Sequence, residues 1–406
     1  MALAHTQTAG VERGSALSVL LAFLKLGLMS FGGPVAHLGY FREEFVARRK
    51  WIDEATYVDL VGLCQFLPGP ASSQVGISIG ILRAGLKGGL CSWIGFTAPS
   101  ALAMIAFAYG VSSWADTGRA AWLHGLKIVA VAVVAQAVWS MARTLTPDRE
   151  RATFAVCAAV IMLALPSTYG QIAVIVLGGI FGWLLLPAET GQARAALAVP
   201  LRRVLAIGAL AAFVVLLIGL PLAARLSANH TIELIDSFYR SGSLVFGGGH
   251  VVLPLLQQQV VPPGWIGNDT FLAGYGAAQA VPGPLFSFAA YLGAVMGPRP
   301  NGFLGGILCL VAIYLPSFLL LIGTLPFWGE LRRHAAVQAA LMGVNAAVVG
   351  LLLAALYTPV WTSAIEKPAD FALGLGAFLL LAFWKAPPWL VVILGAVTAQ
   401  LIVIWV

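Results

Sequence analysis

Apolar runs alternate with short polar turns along the whole chain, and several runs approach the roughly 20 residues with which an α-helix crosses a bilayer. In the first half, full-length membrane spans are predicted at 88–110, 120–142, 152–166 and 169–187. In the second half, helices are predicted at 232–249, 251–261, 270–281, 284–297, 301–325, 335–358, 369–384 and 387–405. This pattern predicts an all-α polytopic membrane protein.

Glycine and proline interrupt the first apolar runs. A helix at 16–31 breaks at Phe31-Gly32-Gly33-Pro34 and is followed by a second helix at 35–50. Two further helices, at 55–67 and 71–82, are separated by Pro68-Gly69-Pro70. Because each of these two is too short to span a membrane alone, they are predicted to form a re-entrant hairpin or a broken helix.

Both breaking motifs occur twice. Phe31-Gly32-Gly33-Pro34 recurs as Phe246-Gly247-Gly248-Gly249, 215 positions later. Gln65-Phe66-Leu67-Pro68-Gly69-Pro70 recurs as Gln279-Ala280-Val281-Pro282-Gly283-Pro284, at an offset of 214. Further pairs extend the match, with an offset that drifts slowly to 218. A drift of this kind indicates an internal duplication with small insertions.

The duplication divides the chain into a first repeat at 1–188, a linker at 189–230 and a second repeat at 231–406. The linker contains a membrane span at 204–224 that has no counterpart in the first half, and one additional crossing inverts whatever follows it. The sequence therefore predicts two inverted-topology repeats with broken or re-entrant half-helices, and about 10–13 membrane helices in total.

Composition and charge agree with this architecture. The chain is 60% hydrophobic and 10% charged, whereas soluble domains carry roughly 25% charged residues. Its net charge of +7 does not indicate nucleic acid, because Lys and Arg collect in the cytoplasmic loops of membrane proteins. The segment 41–51 is strongly basic and its counterpart 256–266 has no charge, as expected of equivalent loops on opposite membrane faces.

Several kinds of chemistry have no support in the sequence. The four cysteines lie in apolar stretches without a CxxC or His/Cys cluster, so neither disulfides nor a metal site is predicted. No nucleotide-binding loop is present, and no paired carboxylates or Ser-Lys pair indicate an enzyme. We expect no cofactor, and we interpret the first apolar run as a retained helix rather than a cleaved signal peptide.

The four breaks are the strongest candidates for a binding site. A break exposes backbone N–H groups that lipid cannot satisfy, so it persists only where it is buried or lines a polar cavity. The start of the following helix favours an anion. Inverted symmetry would bring Gly33-Pro34, Pro68-Gly69-Pro70, Gly248-Gly249 and Pro282-Gly283-Pro284 together. The alternative is that these residues only permit kinks and close helix packing.

A cation stands six residues before the Phe of each Gly-rich break. Lys25 and its counterpart Arg240 lie in helical runs, and an intramembrane cation costs at least ~2.5 kcal/mol. Two symmetric cations would suit a divalent anion. The alternatives are snorkelling to the interface or pairing with a carboxylate such as Asp236 or Glu233, one and two turns before Arg240.

Other polar residues are further candidates. Gln65 and Gln279 precede the proline breaks and could donate to an oxyanion or to a neighbouring helix. Lys127 and Asn345 occupy equivalent positions and are also candidates for anion contact.

Three residues are candidates for proton coupling. His37 and His250 flank the Gly-rich breaks, and a histidine can exchange a proton between pH 5 and 8. The alternative is that each is a polar packing residue, which is the more common role of a lone histidine. Asp59, between apolar neighbours in a short helix, is the best-placed carboxylate.

With Phe-Gly-Gly-Pro at 31–34, Gln-x-x-Pro-Gly-Pro at 65–70 and their second-half versions at 246–249 and 279–284, the chain resembles the chromate ion transporter family, in its long, two-domain form. The resemblance implies a multi-pass protein of the bacterial inner (cytoplasmic) membrane that exports chromate by proton antiport and so confers chromate resistance. The second copy departs from the pattern at Gly249 and at Ala280-Val281, which makes the two half-sites unequal.

The residues alone indicate a secondary transporter of a small divalent oxyanion, and they do not separate chromate from sulfate. A sulfate or general oxyanion transporter and an uncoupled anion channel remain open alternatives. The expected partners are the anion, protons, the lipid bilayer and, as a candidate, a second copy of the chain in a homodimer; nucleic acid is not expected.

Overall fold

The computed structural model describes residues 14–114, 121–187, 201–227, 229–331 and 334–405. Within these ranges the regular secondary structure is helical, without a strand. Of the predicted linker at 189–230, residues 189–200 and 228 lie outside the described residues.

The first half and the unmatched span contain eight α-helices. They are α1 (Ala16–Met29), α2 (Gly33–Phe41), α3 (Glu54–Phe66), α4 (Ala71–Trp114), α5 (Ala121–Leu145), α6 (Arg149–Ala164), α7 (Thr168–Leu185) and α8 (Arg203–Ser227). A π-helix, Arg42–Arg48, continues α2. The predicted boundaries of these elements agree with the observed ones to within a few residues.

The second half contains ten α-helices within the described residues. They are α9 (His230–Ser243), α10 (Val252–Val260), α11 (Asn268–Ala278), α12 (Phe288–Val295), α13 (Gly302–Thr324), α14 (Trp328–Leu331), α15 (Ala335–Ala355), α16 (Thr362–Ala364), α17 (Pro368–Ala382) and α18 (Pro388–Trp405). Short 3-10 turns precede α10 and α12, where the glycine- and proline-rich breaks end.

Six described helical segments are long and apolar enough to cross a membrane: Ala71–Val111, Ala121–Leu145, Thr168–Leu185, Arg203–Ser227, Gly302–Leu331 and Ala335–Ala364. Shorter apolar helices accompany them. The prediction of an all-α polytopic membrane protein is confirmed.

The long helix α4 is two helical arms joined at a kink. Ala84 (φ −143°, ψ 26°) and Gly85 (φ 64°, ψ −159°) leave the helical region. Gly85 has a left-handed φ, which glycine adopts without steric cost. The kink separates a short arm, 71–83, from a long arm, 86–114, and these arms match the predicted helix at 71–82 and span at 88–110.

The four short elements at the start of the chain form two hairpins that open at one place. The Gly14 N–H donates to the Arg83 carbonyl over 3.0 Å, which joins the start of α1 to the end of the short arm of α4. The guanidinium groups of Arg49 and Arg83 lie 5.3 and 5.2 Å from the centre of the Trp51 ring. We call this cluster, Gly14, Arg49, Trp51 and Arg83, the first open end.

The second half repeats this arrangement. The rings of His230 and Trp265 lie 4.6 Å apart, and the Gly297 N–H donates to the Trp265 carbonyl over 3.1 Å. Trp265 is the sequence counterpart of Trp51. The start of α9, the end of α10 and the end of α12 therefore meet at a second open end, defined by His230, Trp265 and Gly297.

The closed ends of the two hairpin sets contact each other directly. The Gly69 N–H donates to the Val245 carbonyl over 2.6 Å, and the Gly283 N–H donates to the Ser30 carbonyl over 2.9 Å. Gly69 and Gly283 are counterparts, as are Ser30 and Val245. Each half of the chain thus donates one backbone hydrogen bond to the other and accepts one in return.

Glycine also sets the helix crossings behind these hairpins. A Cβ atom added to Gly27 of α1 would lie 2.7 Å from the Gly95 carbonyl oxygen of α4. A Cβ atom added to Gly242 of α9 would contact the Ile313 carbonyl oxygen of α13 even more closely. These equivalent crossings bring helix backbones together, as small residues commonly do in membranes.

We predict that Gly242→Ala destabilises the protein by about 1–3 kcal/mol, because the added methyl meets a backbone carbonyl that cannot rotate away. The midpoint of thermal inactivation, followed as the monodisperse fraction after heating in detergent, should fall. Gly208→Ala in α8 is the matched control, since no atom lies within 4 Å of its added Cβ. Equal midpoints for the two variants would contradict the prediction.

Candidate functional site

The two Gly-rich breaks depend on left-handed backbone. Gly32 (φ 104°) and Gly33 (φ 77°) match Gly247 (φ 74°) and Gly248 (φ 139°), and residues with a Cβ atom rarely adopt these conformations. The two breaks also approach each other, since a Cβ atom on Gly249 would lie 3.8 Å from Pro34 Cγ.

The two Pro-Gly-Pro turns have the same backbone form and equivalent neighbours. Gly69 (φ 126°) and Gly283 (φ 101°) are left-handed. A Cβ atom on Gly69 would contact Ser317 Oγ of α13, and one on Gly283 would lie 3.0 Å from Ser100 Oγ of α4. Ser100 and Ser317 each follow a proline inside a long helix. Each Pro-Gly-Pro turn therefore packs against the other half of the chain, and the predicted breaks are brought together.

The first turn of α4, Ala71 to Gln74, links these features, and we call it the serine turn. Its three polar side chains are buried, with exposed fractions of 3% for Ser72, 3% for Ser73 and 0% for Gln74. Ser73 Oγ lies 3.2 Å from the Tyr314 hydroxyl, and Gln74 Nε2 donates to the Pro68 carbonyl over 2.7 Å. The counterpart turn, 285–288, reads Leu-Phe-Ser-Phe. The centre is therefore polar mainly on the side of the first half.

Several polar atoms at this centre have no protein partner among the described residues. No acceptor is found there for the backbone N–H groups at the start of α4, on Ala71, Ser72 and Ser73. The buried Ser30 Oγ, Ser317 Oγ and Gln74 Oε1 also have no hydrogen-bond partner. An unsatisfied buried polar atom costs about 1–3 kcal/mol. A helix N-terminus with free N–H groups and nearby hydroxyls is suited to an anion.

His37 connects the serine turn to the second half. Its Nε2 lies 3.2 Å from the Ser30 carbonyl oxygen and its Nδ1 lies 3.3 Å from Ser72 Oγ. Because a carbonyl only accepts, Nε2 carries a proton, and in the neutral ring Nδ1 accepts from the Ser72 hydroxyl. The Ser30 carbonyl also accepts from Gly283, so one oxygen joins the histidine to the opposite Pro-Gly-Pro turn.

The other two candidates for proton exchange lie apart from this bridge. His250 Nδ1 lies 2.8 Å from the Tyr275 hydroxyl. Asp59 is half-buried on α3.

Lys25 is held by a carboxylate that the sequence analysis did not single out. Its Nζ lies 3.8 Å from Glu44 Oε2, and Glu44 also accepts from Arg48 over 3.1 Å and from Arg49 over 2.6 Å. The Glu44 side chain is 7% exposed. Burial opposes its ionisation, but the hydrogen bond from Arg49 and the charges of all three cations hold the pKa of this carboxyl below its usual value.

Arg240 is also paired, in this case with a carboxylate that the sequence analysis named as an alternative partner. Its Nη2 donates to Asp236, one turn earlier on α9, and Asp236 is 5% exposed. Its buried Nε has no partner among the described residues. Both cations predicted to contact an anion therefore neutralise carboxylates in this structure.

The remaining candidates lie further from the serine turn or at its margins. Lys127 Nζ donates to Asp269 Oδ1 over 3.0 Å and to the Ser363 carbonyl over 3.2 Å, whereas Asn345 is half-buried on α15. Gln65 is exposed on α3. Gln279 is half-buried and its Nε2 has no partner within the described part of the chain.

The aromatic residues of the two Gly-rich breaks pack in unlike surroundings. The Phe31 ring lies 6.2 Å from the Trp389 ring. Phe246 packs against a large apolar core to which both halves of the chain contribute.

The sequence profile of the chromate transporter family matches residues 17–183 and, a second time, residues 232–400. The chain belongs to the chromate transporter family. This is a family of transporters, so the prediction of a transporter rather than an enzyme is confirmed. Each match falls inside one predicted repeat. No solved structure matches the chain.

Relatives match along most of their length. The chain is 28% identical to a chromate transport protein of Pseudomonas aeruginosa over 386 residues, which cover 89% of this chain and 86% of the relative. It is 23% identical to a chromate transport protein of Cupriavidus metallidurans, covering 90% and 88%. An uncharacterised transporter of Methanocaldococcus jannaschii is 26% identical, covering 84% and 83%.

Two signals in the sequence could have identified the residues that were missed. Ser72, Ser73 and Gln74 directly follow a predicted break and are the first polar residues of a helix. Ser100 and Ser317 follow equivalent prolines at an offset of 217. Glu44 has no comparable signal, because it lies among solvent-facing charges.

We predict that Glu44→Gln destabilises the protein by about 1–3 kcal/mol, because three cations lose the charge that they surround. The thermal midpoint in detergent should fall, and the decrease should shrink when Lys25→Met is combined with it. Glu43→Gln is the matched control, because Glu43 is the adjacent, exposed residue. A decrease of the same size for Glu43→Gln would show that Glu44 is not held in the way described.

Proposed function

We propose that this protein transports chromate across the membrane, exporting it from the cytoplasm by proton antiport and thereby conferring chromate resistance. Membership of the chromate transporter family supports the substrate. So do the names of the relatives from Pseudomonas aeruginosa and Cupriavidus metallidurans, both chromate transport proteins. Export and proton coupling rest on the resemblance noted in the sequence.

The observation that carries the proposal is the exchanged pair of backbone hydrogen bonds, from Gly69 to Val245 and from Gly283 to Ser30. These bonds gather the four breaks around the serine turn. An oxyanion placed there would accept hydrogen bonds from the free N–H groups of α4 and from nearby hydroxyls. The proposed site therefore comprises the two Gly-rich breaks and the two Pro-Gly-Pro turns.

Alternating access follows from the same contact. Because the hairpin sets meet at their closed ends, we infer that their open ends face opposite sides of the membrane, as in inverted repeats. Rocking one half against the other would then expose the central site to each side in turn. The exchanged bonds lie where the closed ends of the two hairpin sets meet, which makes them a candidate pivot.

Charge distribution supports a cytoplasmic first open end, in the inner membrane of a bacterium. The segment that leads to it carries Arg42, Arg48, Arg49 and Lys50, and Arg83 reaches it from α4. Positive residues favour the cytoplasmic side, and a positively charged entrance raises the local concentration of an anionic substrate.

Proton coupling is best assigned to His37 among the candidates. It is buried, it bridges Ser72 to Ser30, and Ser30 bonds to the opposite half of the chain. A proton on His37 would therefore affect the contact between the two halves. His250, whose Nδ1 lies 2.8 Å from the Tyr275 hydroxyl, and Asp59 remain candidates.

The test is uptake of radiolabelled chromate into inverted membrane vesicles, with and without an imposed pH gradient and with excess sulfate as competitor. We predict gradient-dependent accumulation. Arg240→Ala should reduce it by about tenfold or more, because it leaves the buried Asp236 carboxylate without its cation. Lys25→Ala should reduce it less, because Glu44 keeps its bonds to Arg48 and Arg49.

Accumulation that is indifferent to the pH gradient would contradict antiport and favour a channel or another coupling ion. Robust sulfate flux without chromate flux would replace the proposal with a general oxyanion transporter. Surface expression of each variant, measured in the same vesicles, separates lost transport from lost protein.

A further inference from the structure

The serine turn is surrounded by unsatisfied hydrogen-bond donors and one unsatisfied acceptor. The donors are the free N–H groups of the turn and the hydroxyls of Ser30 and Ser317, which are 1% and 0% exposed. The acceptor is Gln74 Oε1, on a side chain that is 0% exposed. Buried polar groups are normally paired, so this set indicates a ligand with complementary groups.

The hydrogen bond of the Gln74 side-chain nitrogen sets the orientation of the amide. Its Nε2 donates to the Pro68 carbonyl over 2.7 Å, and reversing the amide would place two acceptors against each other. Oε1 therefore stays an acceptor in need of a donor. No donor among the described residues forms a hydrogen bond to it.

Ser317 and Gln74 border one small region beside Gly69. Ser317 Oγ and the Gln74 amide both contact the position of a Cβ atom on Gly69. Ser30 is linked to the same turn by His37, whose ring joins the Ser30 carbonyl to Ser72 Oγ. A small ligand at the start of α4 would thus have donors contributed by both halves of the chain and Gln74 beside it.

The ionic side chains predicted for this region are occupied elsewhere. Lys25 is paired with Glu44 and Arg240 with Asp236. Among the described residues, the side chains of the serine turn form hydrogen bonds only with His37, Tyr314 and the Pro68 carbonyl. Transfer of an ion into such surroundings costs free energy in proportion to the square of its charge, about four times more for a dianion than for a monoanion.

We propose that this site binds a singly protonated tetrahedral oxyanion, hydrogen chromate, and that Gln74 Oε1 accepts the hydrogen bond from its hydroxyl. The other three oxygens accept from the serine hydroxyls and the free N–H groups of α4. This inference rests on the proposed function, and it adds the protonation state of the substrate and the residue that recognises it. Because each hydrogen chromate carries one proton outward, proton antiport then requires at least two protons to enter for each ion exported.

Recognition of the proton would distinguish chromate from sulfate, which are both tetrahedral and cannot be distinguished by shape. Chromate takes up its first proton near neutral pH, so hydrogen chromate is present in a cell. Sulfate does so only in strong acid, so sulfate can offer Gln74 no donor and would leave its oxygen unpaired. Sites built around a substrate hydrogen bond reject analogues that lack it, because the buried group is then unpaired.

Other titratable groups near the site could also produce a pH dependence. His37 of α2 and Tyr314 of α13 bond to the serine turn, and Tyr275 of α11 bonds to His250. The chain also carries the ion pairs formed by Lys25 with Glu44 and by Arg240 with Asp236. The decisive comparison is therefore between the uptake of chromate and its inhibition by sulfate at each pH.

The experiment uses the purified full-length protein in proteoliposomes, with equal pH on both sides and an ionophore that collapses any gradient. Initial rates of chromate uptake at a fixed subsaturating total concentration are measured over about two pH units above neutrality. We expect the rate to follow the hydrogen chromate concentration, falling roughly tenfold per pH unit. Inhibition by sulfate should be weak, and its inhibition constant should hardly change with pH. Titration of a protein group would instead change chromate uptake and sulfate inhibition alike.

Gln74→Leu tests the residue. We expect at least a tenfold loss of chromate transport at neutral pH and a loss of the preference for chromate over sulfate. Gln136→Leu is the matched control, because the Gln136 amide also donates to a backbone carbonyl, that of Leu381 over 3.4 Å, but lies on α5. A role of Gln74 confined to holding the turn would reduce flux without changing the preference.

The outcomes separate this inference from the proposed function. Chromate uptake that is flat or rises with pH, or sulfate inhibition as strong as that by chromate, would overturn recognition of the proton and leave chromate transport intact. Absence of chromate uptake at every pH would overturn the proposed function itself. The wild-type comparison of the two ions decides the matter even if Gln74→Leu does not fold.

Discussion

The structure depends on one constraint: a helix that breaks inside a membrane must find partners for its freed backbone groups within the protein. This chain meets the constraint by exchange. Gly69 and Gly283 donate their N–H groups to Val245 and Ser30 of the opposite half, so neither hairpin set is satisfied by itself. The requirement of the backbone therefore helps to determine how the two halves meet, and the proposed binding region lies at that contact.

Duplication made this contact symmetric, and later substitution made it unequal. The glycines with left-handed backbone are kept in both halves, because any other residue would be strained there. The side chains that follow are not kept. Ser-Ser-Gln after the first Pro-Gly-Pro becomes Phe-Ser-Phe after the second. One half therefore supplies most of the polar groups, whereas Ser317 is the main contribution of the other half.

The sequence was sufficient for the helices, the breaks and their pairing, because these follow from apolar length and from residues with unusual backbone. It was not sufficient for side-chain partners. Gln65 and Gln74 flank the same break, yet Gln65 is exposed and Gln74 is buried. Which of them faces the centre depends on how α3 and α4 dock. Lys25 meets Glu44 only because α2 turns back and continues as a π-helix, which spacing along the chain does not reveal.

The pairing of both cations with carboxylates suits release of an anion as well as its binding. A transported ion must be held strongly enough to enter and weakly enough to leave. A site with a free lysine or arginine would hold an anion tightly in a dry interior. Here the cations are paired with Glu44 and Asp236, and the centre offers hydroxyls, backbone N–H groups and one amide oxygen. Such groups can select an anion by its pattern of donors and acceptors while the basic first open end attracts it.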